Sequence, residues 1–385
     1  MKKLSVFNTY QKPGESEVKY WHFSLGLKMT CLLGLCLFLY SCAEAQKPTA
    51  AELYFPPNES VEWEQVSLQD LDWDETKLEE LLAWLPSQGT RAFMILKDGK
   101  IVVEEYWGEK LTGLGEMDQD AFWYWASAGK TLTAVLLGIA EEHKLLKRKD
   151  RTQDYLGKGW TSLSEEQERE IRLEHHLSMT TGLNDAVADP DDTSAEALTF
   201  LAEPGSRWAY HNAPYTLLEK VLEEASGETF QEFFRASVGN KIGMKGFWQQ
   251  TGNNNVFYSD ARSMARFGLL LHADGNWNGD QIWSNKFFQE MRETSQDLNP
   301  SYGYLTWLNG KSSFMIPQSQ RLFPGMLIPS APADMYQAMG KNGQFLMVVP
   351  SEGLVIVRMG GAGDNALVPF LLIRDIWDRL AAVIE

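Results

Sequence analysis

The sequence predicts an α+β fold, and three observations carry the prediction. β-rich runs cluster near the start of the chain (92–96 and 101–107) and again near its end (335–359). Helical periodicity fills the middle and closes the chain, which points to an antiparallel sheet built from both ends, helices on its faces and a mainly helical middle. With 44% hydrophobic and 23% charged residues and no internal repeat, the 385-residue chain has material for one large core, expected as a single domain over 61–385.

Each element follows from local pattern. Leu71, Leu78, Leu81, Leu82 and Leu85 form one stripe and predict a helix over 71–85. The runs 92–96 and 101–107 flank Lys97-Asp98-Gly99-Lys100, where Asp-Gly suits a type I′ hairpin turn. Leu132, Val135, Leu136 and Ile139 predict a helix over 131–142 with one buried face. A short helix over 173–182 is expected to be capped by Gly182, followed by an acidic loop over 184–195. Leu217, Leu218, Val221 and Leu222, with Gly227 after them, mark a helix and its C-cap. Further helix is expected at 230–234 and 260–272 and a turn-rich loop at 274–279. Next come a strand over 302–308, a meander of 335–339, 345–349 and 354–359, and a closing helix over 367–384.

The first 60 residues differ in kind. A polar, lysine-bearing stretch leads into the apolar run 29–40, shorter than the ~20 residues of a transmembrane helix and suited to a signal-peptide core. Leu39-Tyr40-Ser41-Cys42 resembles a lipoprotein lipobox, with Tyr40 bulkier than usual. The expectation is a signal peptide over 1–41, lipidation of Cys42 and a tether over 42–60. The protein would then be exported and anchored to a membrane through the lipid on Cys42; a plain cleaved signal or signal anchor is the other reading. The bilayer would not be held by charge, because the chain is acidic, with formal charge −17.

Composition excludes several chemistries. With 52 acidic against 35 basic residues, a nucleic-acid partner is not expected. Cys31, Cys36 and Cys42 are the three cysteines, so thiol catalysis and disulfides are ruled out for the body of the chain. No His-Glu-x-x-His spacing surrounds His175 and His176, so neither a metal nor any other cofactor is expected. No Gly-x-Ser-x-Gly elbow occurs either.

The chemistry centres on Ser127-Ala128-Gly129-Lys130, directly ahead of the predicted helix. A hydroxyl and an amine three residues apart face the same way, the minimum for a nucleophile with an attached base. Gly129-Lys130-Thr131 could also end a phosphate loop, but Tyr124 stands where that loop needs a glycine. Tyr210-His211-Asn212 offers a second base, provided a nearby cation lowers the phenol pKa. By themselves, Tyr210 could equally be a buried aromatic and Asn212 a helix cap. Lys341-Asn342-Gly343-Gln344 places a cation and small residues at a strand edge, where an ordinary turn would look the same.

In this order the three motifs resemble the Ser-x-x-Lys, Tyr-x-Asn and Lys-Thr-Gly motifs of class C β-lactamases, D,D-peptidases and related serine hydrolases. Pro204-Gly205-Ser206, the 260–271 helix and Tyr302-Gly303-Tyr304-Leu305 agree. Gly340-Lys341-Asn342-Gly343-Gln344 is similar to the branch of 6-aminohexanoate-oligomer hydrolases and lactamase-like esterases. The resemblance implies a β-lactamase/transpeptidase-like fold and hydrolysis of a small-molecule or peptide amide or ester. Ser127 would be the nucleophile, Lys130 and Tyr210 would share proton transfer, and Asn212 would position Lys130. Lys341, Asn342, Gly343 and Gln344 would form the substrate and oxyanion edge, with one of their N–H groups joining that of Ser127. True β-lactamase activity is not expected, because Asn342 replaces the usual hydroxyl residue. A binding lipoprotein that keeps the fold without turnover is the alternative.

Overall fold

Lys97 and Lys100 pair across a turn in which Asp98 (φ 49°) and Gly99 (φ 86°) both take positive φ, as a two-residue type I′ connection requires. The turn joins β1 (Thr90–Lys97) to β2 (Lys100–Tyr106). The computed structural model describes residues 53–284, 286–363 and 366–384. The leader, its apolar run and Cys42 therefore lie outside the described residues.

Four C-terminal strands complete the main sheet: β6 (Trp307–Leu308), β7 (Tyr336–Gly340), β8 (Gln344–Val349) and β9 (Leu354–Gly360). The order is β2-β1-β9-β8-β7-β6, antiparallel throughout, so the two ends of the chain meet where β1 pairs with β9. β8 and β9 are buried along their whole length, which is why 345–349 and 354–357 read as apolar runs without alternation. α5 (Ala261–His272) presses on one face: a Cβ at Gly268 would stand 2.5 Å from Val355 Cγ1 and 2.6 Å from Leu346 Cδ1. α6 (Phe370–Ile384) packs on the sheet through Trp377, whose indole N–H meets Met347 Sδ at 3.2 Å, and α1 (Glu75–Trp84) lies beside it, the Asp74 N–H bonding to Val383 O.

α2 (Gly129–Glu142) departs from the expected single buried face: residues 129–140 are all buried. Polar positions survive there because they are bonded, Thr131 Oγ1 donating to Leu305 O at 2.8 Å and Thr133 Oγ1 meeting the Tyr215 hydroxyl at 3.2 Å. α3 (Leu173–Leu177) ends well before Gly182, and Met179 turns the chain at φ 60°. Of the strand expected over 302–308 only β6 forms. Leu305 (φ 48°) bends the segment and bonds through its own N–H to Leu177 O.

A second, three-stranded sheet was not foreseen. It runs β3 (Trp123–Tyr124), β5 (Asn254–Ser259), β4 (Phe247–Thr251). Trp248 and Phe257 form one of its registered pairs, but Gln249, Gln250, Asn254 and Asn255 hide the alternation. Residues 53–58, expected within the tether, are packed against the body. Leu53 is buried, and Arg266 donates to Pro57 O (2.7 Å) and Pro56 O (3.3 Å), so 53–58 belongs to the folded body.

Candidate active site

Ser127 lies in a single 3-10 turn, Ala126–Ala128, between β3 and α2. Ala126 is held at φ 47°, a left-handed conformation that costs an alanine about 1 kcal/mol. Lys130, the second residue of α2, is 3% exposed. Its Nζ lies 3.0 Å from Ser127 Oγ and 2.8 Å from Asn212 Oδ1. The rings of Tyr215 (4.2 Å to centroid) and Tyr210 (5.1 Å) face the same amine. Burial pulls the Lys130 pKa down to about 7, against a smaller upward pull from the Asp191 carboxylate. An amine of that pKa beside a hydroxyl can accept its proton near neutral pH.

Tyr210 behaves differently from the sequence expectation. Burial raises its pKa well above the usual phenol range, and hydrogen bonds to Ser127 and Trp307 offset only part of this. It is therefore a neutral phenol at pH 7 that touches the serine, able to relay a proton but not a standing base. Its ring stacks on Trp307 (5.7 Å, 27°) and meets Tyr302 edge-on at 6.2 Å. Asn212 opens α4 (Asn212–Ser226) one residue inside the cap, which is His211. Its Nδ2 donates to Asp191 Oδ1 at 2.7 Å.

The strand edge facing Ser127 is the end of β7. A Cβ on Gly340 would stand 2.5 Å from Trp125 O, 2.9 Å from Ala128 N and 3.0 Å from Ser127 N, so only glycine lets the two backbones meet. Lys341, Asn342 and Gly343, expected on that edge, form the turn that leaves it. The Lys341 side chain is exposed and makes no ion pair with Tyr210 or any acid among the described residues. Asn342 (φ 63°) donates from Nδ2 to the Tyr124 hydroxyl at 2.7 Å. Gln344, fully buried, directs its amide into the sheet: Nε2 donates to Gly360 O (2.6 Å) and Oε1 accepts from Gly360 N (3.0 Å). It ties β8 to β9 and does not offer its side chain as a substrate contact.

Three residues at the site gave no sequence signal. Arg358 is fully buried on β9 and holds the 341–343 turn from behind, donating to Asn342 O (3.1 Å) and Gly343 O (2.7 Å); burial lowers its pKa to about 9. Asp191 is one of several acids in an acidic loop. Trp307 reads as one apolar residue in a strand. Gly340 was legible as part of Gly340-Lys341-Asn342-Gly343-Gln344. His176 is structural, with Nε2 2.9 Å from Thr152 Oγ1 and Nδ1 2.7 Å from Pro214 O.

A family pattern described as beta-lactamase matches residues 88–360, from the end of the first helical region through β9. The chain belongs to the β-lactamase family. Solved structures share the fold at low identity. A candidate 6-aminohexanoate-dimer hydrolase from Bacillus anthracis superposes with TM-score 0.64 at 16% identity, covering 87% of this chain and 89% of its own. A candidate β-lactamase from Bacteroides dorei gives 0.62 at 16%, covering 81% and 99%. A family VIII carboxylesterase gives 0.59 at 15%, covering 79% and 96%. This β-lactamase-family chain is thus a hydrolase by family, and its first two motifs meet, with Ser127 Oγ, Lys130 Nζ and Asn212 Oδ1 in unbroken hydrogen-bond contact.

Proposed function

We propose that this hydrolase cleaves an amide or ester through an acyl-enzyme on Ser127. The carrying observation is the 3.0 Å contact between Ser127 Oγ and a buried Lys130 whose pKa is about 7. Neutral Lys130 takes the Ser127 proton as Oγ bonds to the acyl carbon. The oxyanion is held by the Ser127 N–H and a second N–H of the 341–344 turn, which Gly340 brings against the serine backbone. The proton on Lys130 passes through the Tyr210 hydroxyl to the leaving nitrogen or oxygen, whose bond to the acyl carbon breaks. Water then attacks the ester, its proton returns to Ser127 Oγ, and the acid leaves. Amide and ester substrates suit the site better than β-lactams, because the Asn342 side chain, at the place of the usual hydroxyl, is already bonded to Tyr124.

The test is labelling by a fluorophosphonate probe. Wild type should be labelled and Ser127→Ala should lose the label; a folded wild type that takes no label would end the proposal. Export and anchoring through Cys42 belong to the same reading and rest on the lipobox alone. Palmitate incorporation abolished by Cys42→Ser is the expected outcome, and incorporation unchanged in that variant would remove the anchor.

A further inference from the structure

The chain of contacts at the site does not stop at Asn212. Its Nδ2 donates to Asp191 Oδ1 at 2.7 Å while its Oδ1 accepts from Lys130 Nζ at 2.8 Å. Asp191 is itself fixed. Its N–H bonds to Asp189 Oδ1 (3.0 Å), Asp189 Oδ2 accepts from Asn253 Nδ2 (3.1 Å), and Pro190 O accepts from Ala213 N (3.0 Å) at the start of α4.

We infer that Asp191 is a positioning residue that fixes the orientation of the Asn212 amide and thereby keeps Lys130 free to take the Ser127 proton. This rests on the serine-hydrolase reading above. A carboxylate only accepts hydrogen bonds, so Asp191 admits the NH₂ end of Asn212 and repels the carbonyl end. The carbonyl is then turned to Lys130, where it accepts from Nζ. With the amide reversed, Nδ2–H would donate to the one lone pair of neutral Lys130, the pair that must accept the Ser127 proton. The reversed amide would block the base without moving a backbone atom.

Asp191 also bears on Lys130 by charge, raising its pKa against burial. The other titratable groups facing the amine are Tyr210 and Tyr215, both kept neutral by burial. Around Asp191 stand His211, lowered to about 4 by burial, and the Arg207–Asp185 ion pair at 2.7 Å. Removing the Asp191 charge therefore lowers the pKa of Lys130.

The experiment follows the rate of fluorophosphonate labelling of the full chain against pH, with melting temperature as a folding control. Asp191→Ala should lower the plateau rate at least ten-fold and move the rise in rate to lower pH. Asp191→Asn removes the charge and carries both an acceptor and donors, so it no longer dictates which end of the Asn212 amide turns to Lys130; it should show the same shifted rise and recover the plateau only in part. A change confined to melting temperature, or wild-type plateau and pH profile in both variants, would overturn the inference and leave the serine-hydrolase reading intact. Absence of Ser127-dependent labelling in wild type would overturn both.

Discussion

Lys130 is the residue on which the chemistry and the stability pull in opposite directions. Its neutral form is favoured because a buried ammonium with no carboxylate of the described residues in direct contact is poorly solvated. In the unfolded chain the same amine titrates near the ordinary lysine value of 10.5, so folding at neutral pH works against its protonation. The folded protein binds fewer protons than the unfolded one between about pH 7 and 10.5, and stability contributed by this group rises with pH across that window. The cost at pH 7 is on the order of a few kcal/mol. Lys130→Met should abolish fluorophosphonate labelling. Its stability measured against wild type should be most favourable at or below pH 7 and should decline towards pH 10.5. A stability difference that is flat with pH would show that the amine is not held neutral. Tyr210 is raised by burial instead, so in this site one partner gives up its proton near neutrality and the other keeps it.

Among the elements, the junction of β7 with the serine turn is the most constrained. The Ser127 turn has a strained Ala126 on one side and the bare backbone of Gly340 on the other. Behind the junction, Arg358 fastens the outgoing turn with five hydrogen bonds, to Thr90 Oγ1 and the carbonyls of Gln88, Asn342, Gly343 and Gly361. Gly340→Ala places a methyl against Trp125 O and the Ser127 and Ala128 N–H groups, so the strand must move away from the Ser127 turn. Labelling should fall at least ten-fold, and denaturation should show a loss of about 1–3 kcal/mol. Labelling at the wild-type rate would show that the edge does not help hold the reacting group. The lysine-bearing motif was readable as sequence, but its role was not. Whether Lys341 stands on a strand or one step beyond its end depends on where pairing with β8 stops, and Gly340↔Gln344 is the last pair.

Across the whole molecule, the main sheet joins residues 90–97 to 354–360, and α2 and the Ser127 turn lie between them in sequence and against β7 in space. α5 fixes the distance between helices and sheet through Gly268, where a side chain would enter the volume of Val355 and Leu346. Gly268→Leu should therefore cost about 1–3 kcal/mol by denaturation while leaving the pH profile of labelling unchanged, since the side chains it would meet are Val355 and Leu346 and not the groups around Lys130. An altered pH profile would mean that the core packing and the amine are coupled.

The sequence by itself determined the α+β plan, the type I′ hairpin at Asp98-Gly99, the amphipathic α4 with its Gly227 cap and the family carried by Ser127-x-x-Lys130 and Tyr210-x-Asn212. These are local patterns, set by the period of burial and by the few residues that tolerate a positive φ. Only the tertiary structure decided that α2 is buried all round, that 302–308 bends at Leu305, and that Gln344 turns into the sheet while Gly340 meets the serine. It also singled out Asp191 from the acids around it, by the one hydrogen bond to Asn212. The physical reason is common to all of these. Burial, desolvation and backbone approach are properties of what a residue faces, and the groups that Lys130 and Ser127 face come from segments distant in the chain.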